Sequence, residues 1–257
     1  MDLQLHLNHV FLVFTRTAGI LAGTPVLSGR TVPTVVKIWV TLTVALCLAP
    51  IVSLERPVPA HWTDLVQAIV QEALIGISIG FVVLLFFLVM QMAGTFIDLP
   101  IGFRMAEILS PQVDARSAPL GQLYYLVAVL ILLATDGYQW IFRAIAESFE
   151  LLPLLTPPSG VWASMADGLG RLIYQLFKIS LQIAFPVMAA IFVADVLSGI
   201  IARAVPQINI FILGFPIKIV LGLLMVFFTL PYFAGLLRGV FEFMGRMLLE
   251  VVLALGG

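Results

Sequence analysis

The chain has 257 residues, 61% hydrophobic and 11% charged, with a net charge of -1 and a mean hydropathy of +1.13. Soluble domains run roughly 45–50% apolar and about 25% charged, so this composition points to the bilayer and away from a water-soluble globule. The balanced charge offers no field for nucleic acid, and one cysteine, Cys47 in an apolar run, excludes an internal disulfide.

The N-terminus does not follow the pattern of a cleaved signal. Asp2, His6 and His9 come first, no Lys or Arg precedes Arg16, and the apolar stretch lacks a clean small-residue cleavage site. A membrane-crossing helix needs about 20 mostly apolar residues. Six stretches qualify as candidates: Val10 to Leu27, Ile38 to Leu54, Leu65 to Ile97, Leu120 to Thr135, Leu172 to Ala202, and Ile217 to Leu237. The third is too long for a simple span, so it should tilt, project beyond the bilayer, or bend at Gly76, Gly80 or Gly94. Between the fourth and fifth, Phe142, Ile145 and Phe149 recur at helical spacing among Arg143, Glu147 and Glu150, which predicts a surface-lying amphipathic helix. A further amphipathic piece runs from Arg238 to Leu255. Prolines cut the chain at most joints, Pro100 and Pro216 among them, whereas Pro186 and Pro231 lie inside apolar runs and should kink their helices. The expectation is an all-α, multi-span membrane protein with kinked helices and helical hairpins.

Two of these spans flank an unusual break, Asp98 to Gly121. It holds five charged residues, three prolines and two glycines, yet also Ile101, Phe103, Met105, Ile108 and Leu109. A water-facing connector would not carry that apolar content, and a long loop of this kind is usually functional. The residues support a movable element or a short interfacial re-entrant helix. A second informative break is Ala202 to Lys218, a connector in which Pro206 and Pro216 fix the backbone and Arg203 and Lys218 flank it. There Gln207 and Asn209 can satisfy open backbone groups.

Small residues recur at four-residue spacing in Gly19/Gly23, Gly76/Gly80 and Gly235/Gly239, which suits close helix contacts. Gly76-Ile77-Ser78-Ile79-Gly80 has the form of a nucleophile elbow, but Ser78 lies in an uncharged apolar run. The histidines His6, His9 and His61 stand in no catalytic motif, so helix packing is the reading. His6 and His9 have the spacing of a metal pair, although interfacial imidazoles are the commoner use of such a pair. No enzyme, metal or cofactor is expected. Charged groups within spans are expensive. Arg16, Glu72, Asp98, Asp136, Lys178 and Asp195 are the candidates, with Glu72, Asp98, Lys178 and Asp195 expected to be buried or inter-subunit charges. Isolated acids such as Glu72 and Asp195 are not expected to be fully paired within one chain.

The order of these features resembles the FliR family of flagellar export-gate proteins and its injectisome counterpart, the SctT family. The resemblance rests on Arg16 with Gly19 and Pro25, Pro33 and Lys37, and Glu72 with Gly76 and Gly80. It continues through Ala93-Gly94 before Asp98 and Gly102-Phe103, Asp136-Gly137, Ser148 and Pro186, and is most specific in the Arg203–Lys218 block. Tyr138 departs from the His more often found there. The resemblance implies a non-enzymatic subunit of the bacterial inner membrane at the flagellar basal body. It would assemble with FliP-type and FliQ-type subunits and an FlhB-type switch protein into a conduit for unfolded substrates. Residues 1–160 would be FliP-like and 161–257 a FliQ-like hairpin. The break at 98–119 would be a channel plug, through Ile101, Gly102, Phe103, Arg104, Met105, Glu107, Ile108 and Leu109. The connector would meet a partner through Arg203, Pro206, Gln207, Asn209, Phe211, Gly214, Pro216 and Lys218. A secondary transporter or ion-coupled permease is the alternative. It would show broken helices and buried acids too, but also an internal repeat, and none is evident between the halves.

Overall fold

Continuous apolar sequence without polar interruption can satisfy its backbone only by coiling on itself, and the described residues do so in helices. The computed structural model describes residues 2–25, 29, 32–52, 61–103, 118–155, 161–205 and 210–256. The helices are α1 (Asp2–Ala22), α2 (Thr34–Leu48), α3 (Trp62–Ile101), α4 (Pro119–Ala134), α5 (Tyr138–Leu151), α6 (Val161–Ala204) and α7 (Ile210–Gly256).

Among the described residues three stretches are long and apolar enough to cross a membrane: Trp62–Ile101, Gly170–Ala204 and Gly214–Phe233. Helices α4 and α5 form a pair bent by 75° that qualifies jointly as a fourth. This corrects the expectation of six spans. The first expected span is part of α1, which starts at Asp2 and ends before Gly23 and Pro25. The second is α2, 15 residues or about 22 Å long, short of a hydrocarbon core of about 30 Å. At the far end, the sixth span and the amphipathic piece after it are one 47-residue helix that runs through Pro231.

The chain divides into two compact units. One comprises Met1–Phe86, Leu132–Ile173 and Phe241–Gly257. In it α2 packs on α1 through Thr41 and Ala45. Helix α1 lies against α3 along two pairs of glycines. A Cβ on Gly19 would stand 2.7 Å from the Gly76 carbonyl carbon, and one on Gly80 would stand 2.5 Å from the Gly19 carbonyl oxygen. Helix α3 runs unbroken through Gly76 and Gly80. They are the places where a second backbone comes too close for any side chain. Ser78, between them, donates to the Leu74 carbonyl at 2.7 Å within its own helix, as a packed helical serine does. By contrast no atom lies within 4 Å of a Cβ on Gly235 or Gly239, so this third pair packs against none of the described residues.

The other unit comprises Phe87–Ile131 and Tyr174–Val240. Gly94 here meets the backbone of Leu120 and Gly121, and Tyr124 stacks edge-on against Phe233 at 4.9 Å. The most apolar stretch of α3 is 56% buried within the chain, against 22% for α6 and 17% for α7. The difference assigns α3 to the interior and leaves Phe185, Phe192, Phe227 and Tyr232 facing outward.

Candidate functional site

Three polar constellations interrupt the apolar fold, and each is built from residues distant in sequence. The first stands one turn from the α1–α3 glycine contact. Arg16 and Glu72 lie on the same helix faces as those glycines, so the close backbone approach brings their side chains together. Arg16 Nε donates to Glu72 Oε2 at 2.5 Å, with the side chains 0% and 1% exposed. Arg16 Nη1 also donates to the carbonyls of Ser148 at 2.8 Å and Leu152 at 2.7 Å. These lie at the C-terminal end of α5, where carbonyls have no helical partner and a cation is favoured. The guanidinium sits 4.5 Å from the centroid of the Phe149 ring. The second Glu72 oxygen, Oε1, accepts the Leu155 N–H at 3.2 Å. Leu155 is held at φ 68, in the left-handed region that a branched side chain disfavours, while Arg16 Nη2 is buried without a hydrogen-bond partner. A strained backbone of this kind costs on the order of 1–3 kcal/mol, and an unmet buried donor about as much again.

The pairing corrects the expectation for Glu72. It is buried, but its partner is within the chain, 56 residues earlier. Sequence alone puts both Arg16 and Glu72 inside spans, and the shared register of each with a glycine pair is the signal that joins them.

The second constellation frames the break after α3. The helix does not stop at Ile97 but runs through Pro100 to Ile101. Asp98 to Ile101 are thus helical and are not part of a loop. Helix α3 ends where the Gly102 N–H bonds to Leu99 O at 3.2 Å and the Phe103 N–H to Asp98 O at 3.2 Å, with Gly102 at φ 93. This two-bond stop requires a left-handed residue, which glycine supplies without strain. Asp98 is fully buried and its carboxylate crosses to the start of α4. Oδ1 accepts the Leu120 N–H and Oδ2 the Gly121 N–H, both at 3.1 Å. These are the donors a polar residue just before the helix would normally satisfy, and Ala118 has no group to do it. Ile101 is buried with its side chain against Gly222, and Gly102 faces the Phe215 ring. Phe103 is half-buried, and Arg104, Met105, Glu107, Ile108 and Leu109 lie outside the described residues.

The third joins the hairpin helices. Asp195 of α6 pairs with Lys218 of α7, the two side chains being 42% and 26% exposed. Asp195 is therefore not an isolated charge awaiting a partner, and it is only half-buried. Lys178 and Arg203 are exposed. The connector is also shorter than expected, because Phe211, Gly214, Pro216 and Lys218 belong to α7, with Gly214 buried. Pro206, Gln207 and Asn209 lie outside the described residues. Among the described residues no cluster of His, Cys, Asp or Glu could hold a metal.

The architecture is that of a helical membrane protein with three or four candidate spans among the described residues, whose described buried charges cap helix ends or pair with each other. Residues 7–244 match the family of bacterial export proteins, family 1, and the chain belongs to that family. It is similar to the flagellar biosynthetic protein FliR of Bacillus subtilis, 30% identical over 237 residues, covering 90% of this chain and 89% of that protein. The FliR protein of Escherichia coli K12 is 26% identical over 247 residues, covering 96% and 93%. Similarity extends to the Yop proteins translocation protein T of Yersinia pestis, 26% identical over 179 residues, covering 70% and 69%. The chain is accordingly a flagellar-type export protein with membrane helices, in a family that is not enzymatic.

Proposed function

We propose that this chain is a structural subunit of the export gate in the bacterial inner membrane at the flagellar basal body. It builds, with FliP-type and FliQ-type subunits, the conduit for unfolded substrates. Residues 1–160 serve as the FliP-like part and 161–257 as the FliQ-like hairpin. The single observation that carries the reading is the weakly buried hairpin. Helices α6 and α7 are only 22% and 17% buried within their spans, yet they hold the half-exposed Asp195–Lys218 pair. Acyl chains are poor cover for such charges, whereas neighbouring subunits are good cover. The transporter alternative has no comparable support, because Arg16 and Asp98 are engaged at helix ends and Glu72 pairs with Arg16 and accepts a turn N–H.

The segment after α3 is the plug. The described residues on either side support this reading, since α3 stops at Gly102 and the Asp98 carboxylate ties its end to the start of α4. An apolar constriction closes a wide pore by excluding water, and Phe103, Met105, Ile108 and Leu109 supply the apolar groups. Deleting 103–113, which spares Gly102 and Asp98, should leave the complex assembled and raise ion conductance across the membrane. A deletion that assembles and stays as tight as wild type would sink the plug.

The connector from Arg203 to Lys218 faces the cytoplasm and meets the FlhB-type partner, since its flanking cations favour the inside. A cysteine at Gln207, in a Cys47→Ser background, should resist a membrane-impermeant maleimide applied to intact spheroplasts. It should react once the membrane is opened. Labelling in intact spheroplasts would contradict the assignment.

A further inference from the structure

We propose that the outward face of α6 binds an anionic phospholipid. Tyr174, Lys178 and Gln182 hold the headgroup, and the apolar residues from Phe185 onward meet its acyl chains. The inference rests on one helix within one compact unit, goes beyond the gate role and does not depend on it.

The helical period puts Tyr174, Lys178, Gln182, Phe185, Phe192 and Val196 on one face of α6, and all six are exposed. Arg203 ends the same face and is exposed too. From Gln182 to Arg203 the helix rises about 31 Å, which matches the thickness of a hydrocarbon core. Asp195 is the charged residue within that interval, and it turns off the face to pair with Lys218 of α7. What remains outward is an apolar band with polar groups at both borders, the pattern of a surface in contact with lipid. A subunit beside the Asp195–Lys218 pair and a lipid on this face therefore do not compete. The face also lacks the device by which α1 and α3 approach, since its small residues Ala189 and Gly199 are not four apart. No atom lies within 4 Å of a Cβ on Gly199. At the headgroup border Tyr174, Lys178 and Gln182 follow at four-residue spacing, so their side chains line up at about 6 Å intervals. The phenol, the ammonium and the amide can each donate to a phosphodiester. Among the described residues no carboxylate pairs with Lys178. A lysine at the edge of an apolar band lays its stem along that band and extends its charge to the headgroup layer, where tyrosine is also favoured.

Photolabelling of the full chain, purified within its membrane complex and reconstituted into phosphatidylethanolamine vesicles, tests the proposal. Phosphatidylglycerol and phosphatidylethanolamine probes, each with a diazirine in the acyl chain, are added in equal trace amounts. Adducts are mapped by mass spectrometry to the peptide that carries Phe185 and Phe192. The anionic probe should label that peptide about fivefold more than the zwitterionic one, the preference one lysine near a headgroup supports. Lys178→Gln should equalise the two probes, and Lys178→Arg should keep the preference. Equal labelling in the wild-type chain, or a preference that survives Lys178→Gln, overturns the headgroup site. A benzophenone amino acid in place of Phe192 reads the face without altering Lys178. It should give lipid adducts, and a cross-link to another polypeptide instead would show that a subunit covers the face and would overturn the proposal.

Discussion

Replacing Glu72 with alanine should all but abolish accumulation of the protein. Removing one partner of a buried ion pair leaves the other charge without compensation, which costs about 3–5 kcal/mol. Here the survivor is Arg16, fully buried between α1 and the end of α5, and the Leu155 N–H loses its acceptor as well. That loss is a large share of the roughly 5–15 kcal/mol by which folded proteins exceed their unfolded states. The comparison that makes the test specific is the double variant Arg16→Leu with Glu72→Leu. Exchanging a buried pair for apolar groups of similar volume is often neutral. The double variant should therefore accumulate better than Glu72→Ala, although it gives up the cap on Ser148 and Leu152. Quantitative immunoblotting of membranes, with the thermal midpoint in detergent, reads both. A Glu72→Ala chain as abundant and as heat-resistant as wild type would show that the pair contributes nothing.

Gly80→Val should be comparably damaging for a steric reason. Its Cβ alone would meet the Gly19 carbonyl oxygen at 2.5 Å and the Ile20 carbonyl oxygen at 2.9 Å. Those atoms are backbone and cannot rotate away, so α1 and α3 must separate. Overpacking typically costs about 1–3 kcal/mol. Here separation also pulls Arg16 and Glu72 apart, since the ion pair rests on the same helix contact. The control is Gly170→Ala, where no atom lies within 4 Å of the added Cβ and helix propensity improves. A thermal midpoint for Gly80→Val equal to that of Gly170→Ala would rule out the glycine contact as the determinant of the α1–α3 approach.

Sequence alone determined the helical membrane class, the long third span, the amphipathic helix at 138–151 and the glycine pairs that pack. Each is a local pattern: a run of apolar residues, a 3.6-residue period, or two small residues four apart. It also picked out Arg16, Glu72, Asp98 and Asp195 as costly charges. It could not give their partners. Glu72 meets an arginine 56 residues away, and Arg16 meets carbonyls 132 and 136 residues away. Backbone carbonyls carry no sequence signature. Backbone N–H groups carry none either, so Asp98 reads as the first residue of a loop although it closes the start of a helix 22 residues on.

The prolines misled in the opposite direction. Pro100 and Pro216 read as joints, because proline lacks an amide donor. The structure carries helix through both, Pro100 in the last turn of α3 and Pro216 in the second turn of α7. Pro216 is the seventh residue of α7, past the first turn where a missing N–H is free, so each proline forfeits a helical bond that tertiary packing must offset. Ile101, buried against Gly222, is part of that packing. Local chemistry set which segments coil and which side chains are expensive. Only tertiary contact decided that Arg16 and Asp98 meet helix ends, while Glu72 and Asp195 meet cations.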